Sequence, residues 1–156
     1  MDNNDIVRRL RHALNISNSA VIGIFKLAGH DISESAVLDI LKKEDDEGYV
    51  ACSDRELVLF LDGLIIKNRG KKETTGAEPV VKPEVPLSNN MVLKKLRIAL
   101  DFKENDMLEM FKLSEFEITK PELSALFRKQ SHKNYKACGD QIMSNFLKGL
   151  TVHFRK

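Results

Sequence analysis

The chain has 156 residues, is 42% apolar and carries a formal charge of +2, with two cysteines and no tryptophan. That length admits one domain or two small ones, with enough apolar residues for a core. No run approaches the roughly 18 apolar residues of a membrane span and no basic-then-apolar leader opens the chain; two cysteines without a CxxC pair exclude a sulfur-rich zinc site.

A cytosolic protein outside the membrane, holding no cofactor, is therefore expected. Residues 49–64, YVACSDRELVLFLDGL, return as residues 135–150, YKACGDQIMSNFLKGL. The offset of 86 between Cys52 and Cys138 aligns the halves without a gap, with about 20 identities over about 68 positions. The organisation is thus a first repeat over 1–70, a linker over 71–87 and a second repeat over 88–156. Each unit, at about 70 residues, sits near the lower limit for independent stability, so the two are expected to pack together through their first and fourth helices.

In chain order, the first helix places Ile6, Val7, Leu10, Ala13 and Leu14 on one face, copied as Val92, Leu93, Leu96, Ala99 and Leu100. Arg8 and Arg9, copied as Lys94 and Lys95, read as a solvated outer face, and Arg11 and Arg97 fall at the stripe's edge. Ser17 or Asn18 caps a second helix through Ala28, with Gly29 as its left-handed stop. Glu115 stands where Gly29 does, which predicts a differently built end. Ser33 opens a third helix, and Thr119 with Glu122 forms a capping box in the copy, with Pro121 in the first turn. A polar loop follows, acidic over 44–48 and basic over 130–134. Asp54 and Asp140 head the fourth helix as predicted N-caps, and Leu57, Phe60, Leu61 and Leu64, copied as Met143, Phe146, Leu147 and Leu150, form the longest stripe. Pro79, Pro83 and Pro86 make helix improbable in the linker, which reads as extended. With no period-two alternation, the fold class is all-α: a tandem repeat of two four-helix units packed together, with a Pro-rich linker between.

The repeated Tyr-x-Ala-Cys-x-Asp carries the most specific local signal. Cys52 and Cys138 stand just before a helix start, where a thiolate would be favoured, yet small buried residues beside Tyr49 and Tyr135 explain the pattern as well. None of His12, His30, His132 and His153 recurs in the other copy, which excludes a duplicated Cys–His dyad and leaves His132 with Cys138 as a single one. Ion pairs of Arg11 with Asp54 and of Arg97 with Asp140 are a further reading of residues kept in both copies. The acidic loop fails the calcium template, since Lys43 would occupy the first ligand position. Gly63 and Gly149 each cost about 1 kcal/mol inside a helix, so a close approach is expected there, across a twofold joining the two Phe-Leu-x-Gly-Leu faces; the alternative is a ligand pocket of Phe60, Leu64, Phe146 and Leu150.

Charge is unevenly divided: residues 1–70 carry 9 basic and 12 acidic side chains, net −3, and residues 88–156 carry 13 and 8, net +5. The second and third helices form a helix-turn-helix pattern. In the first repeat Asp31, Glu34, Asp39 and Glu44 would repel phosphate. The second offers Lys94, Lys95, Lys120, Arg128, Lys129, Lys133 and Lys136 as a candidate interaction surface, without an aromatic stacking platform.

The Asn-Asn openings, Leu-Arg-x-Ala-Leu in both copies, Phe60-Leu-Asp-Gly-Leu-Ile65 with Arg69-Gly70, and Cys138-Gly-Asp-Gln141 together resemble the YehS-like family over nearly the whole chain. The resemblance implies a bacterial cytosolic protein built from a twice-occurring domain of unknown function, and supplies no catalytic residues. The expected role is a non-enzymatic interaction protein acting on protein partners, with nucleic-acid binding through the second repeat as the alternative; the sequence leaves the oligomeric state open.

Overall fold

The computed structural model describes residues 1–70, 87–129 and 131–155; the linker's expected extended course lies outside them, apart from Leu87. Among the described residues there are eight helices and no strand: α1 (Asn3–Leu14), α2 (Asn18–Leu27), α3 (Glu34–Ile40), α4 (Asp54–Arg69), α5 (Asn89–Leu100), α6 (Glu104–Leu113), α7 (Lys120–Leu126) and α8 (Asp140–Phe154). The all-α duplication is therefore as expected, four helices from each copy.

Local signals set most of the boundaries. Ser17, Ser33 and Thr119 cap α2, α3 and α7, accepting from the N–H groups of Ala20, Ala36 and Glu122. The expected cap of α4 is shifted by one residue. Ser53 is the N-cap, closing a capping box with Glu56, and Asp54 is the first helical residue; α8 starts likewise from Gly139, with Asp140 inside. The Gly29 stop has φ +82°, and Glu115 adopts the same left-handed conformation at φ +61°. The end of α6 is thus built as that of α2 is, against expectation. The N–H groups of residues 29 and 115 both donate back into the last turn at 2.9 Å. A side chain in this conformation costs roughly 1 kcal/mol or more, which Glu115 bears and Gly29 does not.

Each unit closes around one aromatic pair. Phe25 and Phe60 lie 5.5 Å apart between α2 and α4, and Phe111 and Phe146 repeat this at 5.7 Å between α6 and α8. Tilted pairs of this kind add about 0.5–1.5 kcal/mol beyond the area they bury. Beside them, a Cβ at Gly63 would overlap the Ile24 carbonyl, and one at Gly149 the Met110 carbonyl. The close approach is real, but the partner is the second helix of the same unit rather than the other copy across a twofold. Phe60, Leu64, Phe146 and Leu150 are all buried in the core, with the two phenylalanines in the aromatic pairs.

Between units the packing is reciprocal. α1 packs on α8 and α4 on α5, so the first helix of each copy lies against the fourth helix of the other. Arg69 pairs with Asp101 at 2.7 Å, and the equivalent Arg155 donates to Asn15 Oδ1 at 3.1 Å. Leu87 N–H donates to Asp54 at 3.2 Å while the Met1 nitrogen donates to Asp140 at 3.0 Å. Each contact has its mate 86 residues away, which is a pseudo-twofold axis. It also corrects the solvated reading of Arg9 and Lys95. Arg9 donates to Ser144 Oγ at 2.9 Å, and Lys95 pairs with Asp62 at 2.7 Å, both across the join.

Candidate functional site

The residues kept in both copies converge on a buried clamp. Asn4, 1% exposed, lies one turn before Val7 on the apolar face of α1. Its Nδ2 donates to the carbonyls of Ile40 and Val50, both at 2.8 Å, and its Oδ1 accepts the Cys52 N–H at 2.8 Å. Asn90 makes the same three bonds to Leu126, Lys136 and Cys138, at 2.9, 2.9 and 2.8 Å. One side chain thereby fixes the end of the third helix and the loop entering the fourth. Its neighbour does the rest: Asn3 Nδ2 donates to Cys52 O at 3.0 Å and Asp54 Oδ1 at 2.8 Å, and Asn89 repeats this on Cys138 and Asp140 at 3.1 and 3.0 Å. The Tyr49 hydroxyl reaches Asn4 Oδ1 at 3.2 Å and Asp2 at 3.1 Å.

Asp54 and Asp140 are thus acceptors for the opening of α1 and α5. The hydrogen bond from the Met1 amine, then that from Asn89, holds the Asp140 carboxyl below its ordinary value. The arginine pairing does not form. Arg11 Nε donates to Asn18 at 2.8 Å, while Arg97 Nε donates to Phe102 O at 3.3 Å and its guanidinium lies 4.8 Å over the Phe127 ring. Apolar periodicity does not pick out the asparagines, because they are polar residues within the apolar stripe. The signal was there: both copies open on Asn-Asn, and the second Asn falls on the buried face.

The thiols sit under this clamp and are buried. Desolvation, then the carboxylates of Glu56, Asp2 and Asp54, pushes Cys52 up to about 12, and desolvation with Asp140 pushes Cys138 up to about 11. Neither is a thiolate near neutrality. His132 is exposed in its own loop, its Nδ1 accepting the Asn134 N–H at 3.0 Å, while Cys138 Sγ is directed to Gly139 O at 3.7 Å. Among the described residues no three His, Cys, Asp or Glu side chains gather to hold a metal ion, and no helix is long and apolar enough to cross a membrane.

The copies diverge at the outer end of each unit, formed by the third helix and the loop behind it. Here the backbone is the same: Val50 N–H donates to Asp39 O at 3.3 Å, and Lys136 N–H to Ala125 O at 3.1 Å. In the first unit Val50 and Leu38, which flank the acidic 44–47 loop in the chain, are both exposed. In the second the same two positions are Lys136 and Ser124. Residues 38–50 hold five acidic and two basic side chains, net −3; residues 124–136 hold four basic and none acidic, net +4. Of the candidate basic residues, Lys120, Arg128, Lys129, Lys133 and Lys136 are exposed on this end, with Glu122 3.6 Å from Lys136. Lys94 is exposed on α5, and Lys95 belongs to the join instead. A separate groove of about 630 Å³ lies between the C-terminal ends of α4, α5 and α8, edged by Arg69 and Phe154.

Residues 3–70 and again 89–156 match the family model described as Protein of unknown function (DUF1456). The chain is also similar to the Uncharacterized protein YehS of Escherichia coli (strain K12), 39% identical over 158 residues that cover 100% of this chain and 99% of that protein. No solved structure matches.

Proposed function

This chain belongs to the family described as Protein of unknown function (DUF1456), carried once in each half, and from that premise we propose a non-enzymatic interaction protein of the cytoplasm that binds protein partners through its two end faces. One observation carries the reading: the asparagine clamp, the thiols and the helix-contact glycines are identical in the two copies, whereas equivalent end segments carry net charges of −3 and +4. A catalytic unit would keep its chemistry and vary its packing; here the packing is kept and the exposed chemistry varies. The protonated thiols and the exposed, separately engaged His132 support a role without catalysis.

The alternative, an accessory factor binding RNA or DNA, is favoured by the five exposed basic side chains on α7 and the loop after it. The absence of an aromatic platform there, in a region where the described ring Phe127 is already under Arg97, places it second. Affinity capture from native lysate, with and without nuclease, separates the two. Protein partners retained after nuclease treatment are expected. Capture that disappears with nuclease would replace the first reading by the second, and no reproducible partner in either arm would refute both.

A further inference from the structure

We propose that the partner of each end face is the opposite end face of a second copy, so that the protein associates head to tail. The inference rests on the interaction reading above and identifies its occupant. Both halves of the contact are on the chain. The first unit's end exposes Glu44, Asp45, Asp46 and Glu47 together with Leu38 and Val50, and the second exposes Arg128, Lys129, Lys133 and Lys136. They are related by the pseudo-twofold axis, so they are alike in backbone and extent while opposing in charge, and it is the charge that complements. Few of these charges are satisfied within the chain. Asp46 accepts from the Lys43 N–H at 2.9 Å and Lys136 stands 3.6 Å from Glu122, while Glu44, Asp45, Glu47, Lys129 and Lys133 are exposed and form no ion pair within the described residues.

Two like ends would repel each other, so an isologous pair through either face is disfavoured, and an acidic end meeting a basic one is heterologous. Such a contact leaves one end of each kind free for a further copy, and its repetition builds a ring where the rotation closes and an open filament where it does not. The field between exposed charges weakens over a Debye length, so the association should be strong at low salt and lost at high salt.

Sedimentation velocity and light scattering over a concentration series, at low and high salt, provide the test. In wild type the mean mass should climb past that of a dimer at low salt and return to the monomer at high salt. Two double variants remove it separately: Asp45→Lys with Glu47→Lys takes the acidic end from −3 to +1, and Lys129→Glu with Lys133→Glu takes the basic end from +4 to 0, each leaving the other end as it was. All four positions are exposed, and Asp46 is spared because it holds its own loop. Each variant alone should stay monomeric, and mixing the two should restore association. Restoration on mixing also shows that both variants fold. A wild type that is monomeric throughout, a dimer that plateaus and ignores salt, or variants that fail to associate when mixed would each overturn the proposal. A monomer that still captures a protein from lysate would overturn this inference while leaving the interaction reading intact.

Discussion

Replacing Asn4 with alanine removes the three 2.8 Å bonds that tie α1 to the end of α3 and the entry of α4. The groups left behind set the cost. Val50 is exposed, so its carbonyl regains water, but the Cys52 N–H and the Ile40 carbonyl belong to buried residues. Two buried groups without partners, at about 1–3 kcal/mol each and with some water entry into the space vacated, give a loss of about 2–4 kcal/mol. For a chain of this size that lowers Tm by about 4–16 °C. Asn90→Ala should cost less, since Asn90 is 8% exposed against 1% for Asn4 and water reaches its partners more readily. Asn4→Asp sharpens the test. It keeps the acceptor for Cys52 but turns a carboxylate on two carbonyls, so at neutral pH it should be worse than alanine. Burial raises the folded-state pKa of that carboxyl, so its folded protein is favoured at low pH and loses stability as pH rises, and the gap to alanine should narrow on acidification. Chemical unfolding followed by circular dichroism, with amide exchange at Cys52, measures both. A loss below about 0.5 kcal/mol for Asn4→Ala, or an unchanged Cys52 protection factor, would refute the clamp.

Three further outcomes follow from the helices. Gly63→Ala and Gly149→Ala should destabilise by about 1–3 kcal/mol despite alanine's better propensity, because the new methyl meets a backbone carbonyl, whereas Gly23→Ala, which meets nothing within 4 Å, should stabilise by about 0.5–1 kcal/mol in thermal melts. Glu115→Gly should stabilise by about 1 kcal/mol by relieving the left-handed conformation at φ +61°, and an unchanged or lower Tm would contradict the strain assigned there. Native thiols should label slowly at pH 8 and quickly on unfolding. Because burial raises both thiol pKa values, their share of stability is complete below the unfolded-state value of about 8.5 and is lost as pH climbs through about 11 and 12; fast native alkylation near pH 7 would overturn this.

What the sequence made legible was what is local or repeated. Ser17, Ser33 and Thr119 cap the helices expected of them because an N-cap bonds to a backbone N–H within one turn. The shift from Asp54 to Ser53 has a simple cause: the aspartate is the residue shared by both copies, but the shared residue is not the cap, since the cap position is Ser53 in one copy and Gly139, without a side chain, in the other. Gly63 revealed that something must come close, but spacing along one helix carries no information about which helix arrives. A charged outer face predicts solvation for Arg9 and Lys95. They face Ser144 and Asp62 because α1 and α5 each have two neighbours, one of them in the other repeat. The clamp asparagines were visible as identities and went unused, since a buried polar group is recognised by its partners, and those lie 36 to 48 positions away.

The reciprocal exchange of first and fourth helices has a consequence for how the two copies can vary. When each unit covers its first helix with the fourth helix of its mate, the two meet as the subunits of a homodimer would, within one chain. In a true homodimer every mutation is made twice, so a surface change on one subunit is imposed on the other and an acidic end implies two. A single chain lifts that constraint. The helix pairing is kept on both sides of the axis, while individual contacts across it, such as Arg9 with Ser144 against Lys95 with Asp62, and the charges of the two outer ends differ between the copies.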